Sequence, residues 1–380
     1  MERCADVVTA KAQVVEHLRL LGFALSASGD VLDPPNWESK DAMRRLHASA
    51  VGYARERAAA ALAPVEPWLA ARLARTVPPV REWAPRIISL PVGRSEDALL
   101  WRWASLHWSV PVSGGYGRRV RYLVVDEAND SALMGIFGLT DPVFSMKARD
   151  EALGWDLQAR RTHLVHLMEA NVVGAAPPYA FHLGSKLIAS LVLAQEVTEV
   201  VRERYSGVRA RISGEPHEGA LWAVSTQGAF GRSSIYNRLR PPAGTAAWKS
   251  VGFTAGTGDF QFTGAAFEAI RAVAMRELAN QSGRPANSAW KSSGFRNRRD
   301  LVECGLSAMG LDFRSLRQHG VRREVLVAQF VNNFKAALVG EAPDFHQASA
   351  EEVAAEFSDR WSETADRRRV PEDWDWKMYA

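Results

Sequence analysis

The sequence predicts an α+β protein: a mixed-sheet core flanked by N-terminal and C-terminal helical regions. Three observations predict it. Residues 120–125 and 133–139 are apolar runs around Asn129 and Asp130, the pattern of two strands joined by a turn. Residues 164–173 are an almost unbroken apolar stretch, read as a buried strand, though on pattern alone a short buried helix fits it too. Residues 184–205 carry helical spacing, with Leu187, Leu191, Ala194, Val197, Val201 and Tyr205 on one stripe and Glu196, Glu199 and Glu203 off it. The expected division is a helical region over 1–95, the α+β core over 96–262, and a helical region over 263–380.

Along the chain, residues 14–21 are apolar-periodic and end at Gly22. Asn36 or Ser39 is placed to cap a second helix running towards Leu62. Prolines 64, 67, 78, 79 and 85 break up the stretch after that helix. Trp68, Trp83, Trp101, Trp103 and Trp108 crowd the same region, more in the manner of core anchors than of base-stacking platforms. Residues 146–161 read as a charged helical connector. Residues 221–226 read as a strand, 265–278 as a helix, 281–293 as a linker, and 301–309 and 325–338 as helices.

Composition bounds the function. Two cysteines, Cys4 and Cys304, make neither a disulfide framework nor a metal cluster and point to a reducing, cytoplasmic setting. His163, His166 and His182 have no completing ligands at metal-site spacing, so no metal is expected. No stretch has the roughly 20 apolar residues that cross a bilayer, and no signal peptide or membrane partner is expected. The net charge of +4 is uneven. Residues 284–323 hold nine Lys/Arg against three Asp/Glu, and residues 341–380 hold eleven acids against five bases. A basic segment before an acidic tail suggests an anionic partner and an internal competitor for it; locally paired surface charge is the plainer reading.

The order strand, Pro177 and Pro178, Gly184, long helix resembles the central unit of the N-acetyltransferase superfamily. There, helix N-terminal amides hold the coenzyme pyrophosphate. The resemblance places Gly184, Ser185 and Lys186 at the cofactor position. Tyr179 and His182 stand where that loop has Arg/Gln and glycine, so acetyl-coenzyme A binding is expected to be weak or absent. The resemblance also puts Glu169 near the general base and Tyr236 near the general acid, with Ser233 and Ser234 beside them. The alternative is structural: Glu169 paired with Arg149, Arg232 or Arg238, and Tyr236 packed against it.

Five motifs carry a closer resemblance: SLHWSVPVSGGYGRRVRYLVVDE (105–127), DPVFSMKARDEALGWD (141–156), LMEANVVGAAPPYAFHLGSKLIA (167–189), STQGAFGRSSIYNRL (225–239) and HGVRREVLVAQFVNNF (319–334). Together they resemble the A-subunit family of the Druantia anti-phage defence systems over nearly the whole chain. Glu169, Asn171, Gly228 and Asp259 depart from that family's usual residues. The resemblance implies a bacterial defence role with other subunits as partners, and it leaves the reaction open. The expected activity is nucleic-acid engagement through a degenerate acetyltransferase-like fold, with an acyl-coenzyme-A-dependent acyltransferase as the alternative. Arg118, Arg119, Arg232, Arg238, Lys291, Arg296, Arg298 and Arg299 are the expected phosphate contacts.

Overall fold

The computed structural model describes residues 2–26, 31–33, 39–112, 116–209, 216, 218–280, 298–371, 374 and 376–379. They form two compact units whose boundaries interleave in sequence. This differs from three consecutive regions divided at 95 and 262, because segments that precede and follow the sheet in sequence share one helical core.

The first unit holds residues 1–57, 109–111 and 255–322. Its helices are Glu2–Leu20, the start of Lys40–Leu62, Gly264–Asn280, Arg298–Ala308 and Phe313–Leu316. A short antiparallel pair joins strands β1 (Ala24–Leu25) and β2 (Val31–Asp33). The core gathers Val14, Leu18, Phe23, Phe262, Ile270, Val273, Leu301, Val302 and Leu306. Gly305 is required there, since a Cβ would lie 2.4 Å from the Ile270 carbonyl oxygen. Ser39 caps the second helix, its Oγ accepting from the Ala42 amide at 3.2 Å.

The second unit holds residues 58–108, 112–254 and 323–380. It carries one seven-stranded sheet: β3 (Pro85–Ser89), β4 (Tyr116–Asp126), β5 (Ala132–Asp141), β6 (Leu167–Ala175), β7 (Ala223–Gln227), β8 (Lys249–Phe253) and β9 (Glu324–Gln329), in the order β3-β4-β5-β6-β7-β9-β8. Every pair is antiparallel except β6–β7, which is parallel. A parallel pair needs a crossover, supplied by helices Gly184–Leu191 and Gln195–Tyr205. β6 is the middle strand, and β5 is buried on both faces over nearly its whole length.

Three differences from expectation have local causes. β6 starts at Leu167, because Leu164–His166 wind into a 3₁₀ turn. The helix over 184–205 is two helices: Ala194 is extended, and the Gln195 amide donates to the Ala348 carbonyl at 2.8 Å. The start of the helix expected over 325–338 is instead a strand, β9 (Glu324–Gln329), between β7 and β8, a position that favours the β-branched Val325 and Val327. The apolar stripe over 187–201 is buried as expected. Glu196, expected in solvent, accepts from the Ala350 amide at 2.9 and 3.0 Å at the start of helix Ala350–Asp366.

Candidate functional site

Side chains alternate across a strand, so register decides which residues meet. Glu169 pairs with Ser225, and Ala170 with Thr226. Ser225 pairs with Val327 on β9. Glu169, Ser225 and Gln227 therefore share one face, where the Gln227 Nε2 donates to Glu169 Oε1 at 2.7 Å. Thr226 points to the other face, where its Oγ1 lies 3.2 Å from the Tyr236 hydroxyl. Tyr236 packs there with Ala189 and Leu326, with the Trp248 ring at 5.3 Å. The acid–base pair read from the sequence is thus not assembled: Glu169 and Tyr236 stand on opposite faces of the sheet. Burial pushes the Tyr236 phenol up to about 12. Ser233 and Ser234 belong to the same turn as Tyr236. The Ser233 amide donates to Glu324 Oε2 at 3.3 Å, and the Ser234 carbonyl accepts from Lys186 at 2.7 Å.

Around Glu169 the face is polar. Gly138 pairs with Val172 and Leu139 with Ala170, leaving Asn171 as the extra residue of a β-bulge. Burial raises the Glu169 carboxyl, against the Gln227 hydrogen bond and the positive charges of Arg149 and Arg323. The Oγ of Ser225 is buried with no hydrogen-bond partner among the described residues. The same face carries a cavity of about 340 Å³ beyond Val327, lined by Leu153, Lys249, Gln329, Asn332 and His346 among others. Glu169→Gln tests the raised carboxyl. A raised folded-state pKa gives stability that is complete below the unfolded value and lost as pH rises through the folded one. Urea midpoints of the parent should fall across that window while those of the variant stay flat; parallel profiles would show an unperturbed Glu169.

The strand-to-helix connection is closely held. Tyr179 donates to Asp126 Oδ2 at 2.8 Å, and the His182 Nδ1 contacts the Ala365 carbonyl at 3.0 Å. Leu183 is left-handed (φ 63°). A Cβ on Gly184 would lie 2.7 Å from the Tyr179 carbonyl oxygen, so only glycine fits. Ser185 Oγ accepts from the Ala175 amide at 3.1 Å. The Lys186 Nζ donates to the carbonyls of Ser234 (2.7 Å) and Asn237 (2.5 Å) and sits 4.9 Å from the Trp361 ring centroid. Burial, with Arg238, Arg360 and Arg368 nearby, brings its pKa down to about 8.

The expected phosphate contacts divide. Arg118 is buried, its Nε on Asp141 Oδ1 at 2.7 Å and its Nη2 on the Leu167 carbonyl at 3.1 Å, so it braces the sheet instead of facing a partner. Arg298 is likewise committed, to the Phe262 carbonyl and the Phe267 ring. Arg119, Arg232, Arg238 and Arg299 are exposed. Lys291 and Arg296 lie outside the described residues. Sequence reasoning missed Arg360 and Arg368, which reach the neighbourhood of Lys186 and Arg238. The run Arg367–Arg368–Arg369 was the available signal, hidden inside a segment that is acidic overall.

Among the described residues, no group of His, Cys, Asp or Glu is arranged to hold a metal ion, and no helix is long and apolar enough to cross a membrane.

The family model of Druantia protein DruA matches residues 37–340. The chain is 36% identical over 361 residues to the Druantia protein DruA of Escherichia coli (strain UMEA 4076-1), covering 92% of this chain and 85% of that one. No solved structure matches it.

Proposed function

The chain belongs to the Druantia protein DruA family, and from that membership we propose that it is the nucleic-acid-engaging component of a bacterial anti-phage defence system, acting beside other subunits in the cytoplasm and without a coenzyme. The sheet order and its single parallel pair, crossed over by helix Gly184–Leu191, support descent from an acetyltransferase-like fold. One observation carries the loss of the coenzyme. The first turn of that helix, where a pyrophosphate would sit, is occupied from within: Lys186 is spent on Ser234 and Asn237, and His182 is tied to Ala365. The Glu169–Tyr236 separation supports the same conclusion, since the Tyr236 phenol lies on the other face of the sheet from that carboxyl.

Isothermal titration with acetyl-coenzyme A should give no saturable heat, while a labelled oligonucleotide should shift at low salt and be released as salt rises. Micromolar coenzyme binding would replace this reading with the acyltransferase one. One observation favours that second reading: Glu169 has a raised pKa and lies beside the Ser225 hydroxyl, which has no partner among the described residues, a combination found at proton-transfer sites.

A further inference from the structure

Four basic side chains from three separate segments converge beside helix Gly184–Leu191. Lys186 comes from the helix itself, Arg238 from the turn after β7, and Arg360 and Arg368 from helix Ala350–Asp366 and the residues after it. The cluster is built, not incidental. The Trp361 ring lies between two of the charges, 4.9 Å from the Lys186 Nζ and 5.1 Å from the Arg360 guanidinium. Arg360 Nε donates to the Arg238 carbonyl at 3.0 Å. Arg238 is held left-handed (φ 59°), a conformation that strains a non-glycine residue. Strain of this kind persists where the surroundings fix it, and it gathers at binding sites. Burial and these neighbouring arginines together depress the Lys186 pKa.

We infer that Arg238, Arg360 and Arg368, braced by the internally bonded Lys186, form a binding site for the phosphate backbone of a nucleic acid. This rests on the nucleic-acid reading given above and supplies its contact residues. The shape favours an extended polyanion over a small phosphate compound. Arg238 and Arg368 are exposed at the surface, while Lys186, the group nearest the helix start, is already bonded to two carbonyls. The site draws on a segment beyond residue 340, outside the span of the family model. The C-terminal segment read from sequence as an acidic competitor therefore contributes two of the cations.

The test pairs a fluorescent 20-nucleotide single strand and its duplex with two small probes, acetyl-coenzyme A and inorganic pyrophosphate. Each is titrated into the full chain, into the double variant Arg238→Glu/Arg368→Glu, into the milder Arg238→Gln/Arg368→Gln, and into Lys147→Glu as a distant surface control. Both double variants should keep the parent melting curve, because the changed side chains are exposed. The charge reversal should weaken oligonucleotide binding at least tenfold. The neutral pair should lower the slope of log K against log salt by about 1.8 on the duplex and about 1.4 on the single strand, the values for two lost phosphate contacts. Lys147→Glu should change neither. If the parent binds no oligonucleotide, the nucleic-acid reading itself falls, and this inference with it. If the parent binds and both double variants bind equally well, the inference alone falls. Pyrophosphate or acetyl-coenzyme A binding that needs Arg238 and Arg368, without oligonucleotide binding, would reassign the cluster to a small ligand.

Discussion

Replacing Asp150 with alanine should destabilise the sheet-bearing unit by about 3–5 kcal/mol, the usual cost of stranding a buried charge. Arg149 is fully buried. Its Nε and Nη2 donate to Asp150 Oδ1 at 2.8 and 2.6 Å, and its Nη1 donates to the Val143 carbonyl at 2.9 Å. Asp150 Oδ2 meanwhile accepts from Arg160 at 2.6 Å and from the Met146 amide at 3.0 Å. Alanine removes every bond to that carboxylate and leaves two arginines without it. Tryptophan fluorescence during urea unfolding reads the effect, since eleven of the thirteen tryptophans lie in this unit. The partner change Arg149→Met should be gentler when made together with Asp150→Leu than alone, because an apolar pair strands no charge. Additive losses in that cycle would mean the two residues are not coupled. Arg149 also acts on Glu169 through its charge, so the single variant should further raise the carboxyl's pKa.

Glu66→Ala should cost about 2–4 kcal/mol and release the segment that carries Met378 and Tyr379. Glu66 is 3% exposed. Its carboxylate accepts from Trp103 Nε1 (2.8 Å), the Met378 amide (2.7 Å) and the Tyr379 amide (2.8 Å). Each donor left buried without a partner costs about 1–3 kcal/mol, and those on the freed segment recover part of it in water. Burial raises this carboxyl, but the hydrogen bonds from Trp103, Tyr379 and Met378 and the charge of His107 outweigh it, and the net shift is downward. The stabilisation is therefore present above the ordinary carboxylate range and lost as pH falls through the depressed value. Protection of the Met378 and Tyr379 amides from hydrogen exchange, relative to their intrinsic rates, should fall under acid in the parent and be low at every pH in the variant. Slow exchange in Glu66→Ala would place the anchor elsewhere, in the stacking of Trp376 on His107 at 4.0 Å.

The middle strands β4 to β7 and the crossover were legible in sequence because their patterns are clean, an almost unbroken apolar run for β6 and a stripe at helical spacing for the helices after it, whereas β3 lay in a stretch expected to be helical. β9 was not, because the turn at Asn332 and Asn333 that separates it from helix Phe334–Ala337 was read as part of one helical pattern over 325–338. Glu169 stood out as an acid in an apolar strand. Its separation from Tyr236 was not visible, since facing depends on the Asn171 bulge and on register with β7, neither of which has a local signature. The arginines failed for a related reason: charge density along the chain says nothing of which guanidinium is folded onto a carbonyl. Arg118 and Arg298 are used internally, while Arg360 and Arg368, diluted by acids in sequence, meet in space.

The interleaving of the two units sets a timetable for synthesis. Residues 1–57 share their core with residues 255–322, which leave the ribosome about 200 residues later. At about 5–20 residues per second, the N-terminal helices wait roughly 10–40 s for their partners. Val14, Leu18 and Phe23, all buried in the finished fold, spend that interval without their cover. The sheet-bearing unit has received most of its strands by then, so the nascent N-terminal segment is where a chaperone has the longest opportunity to act.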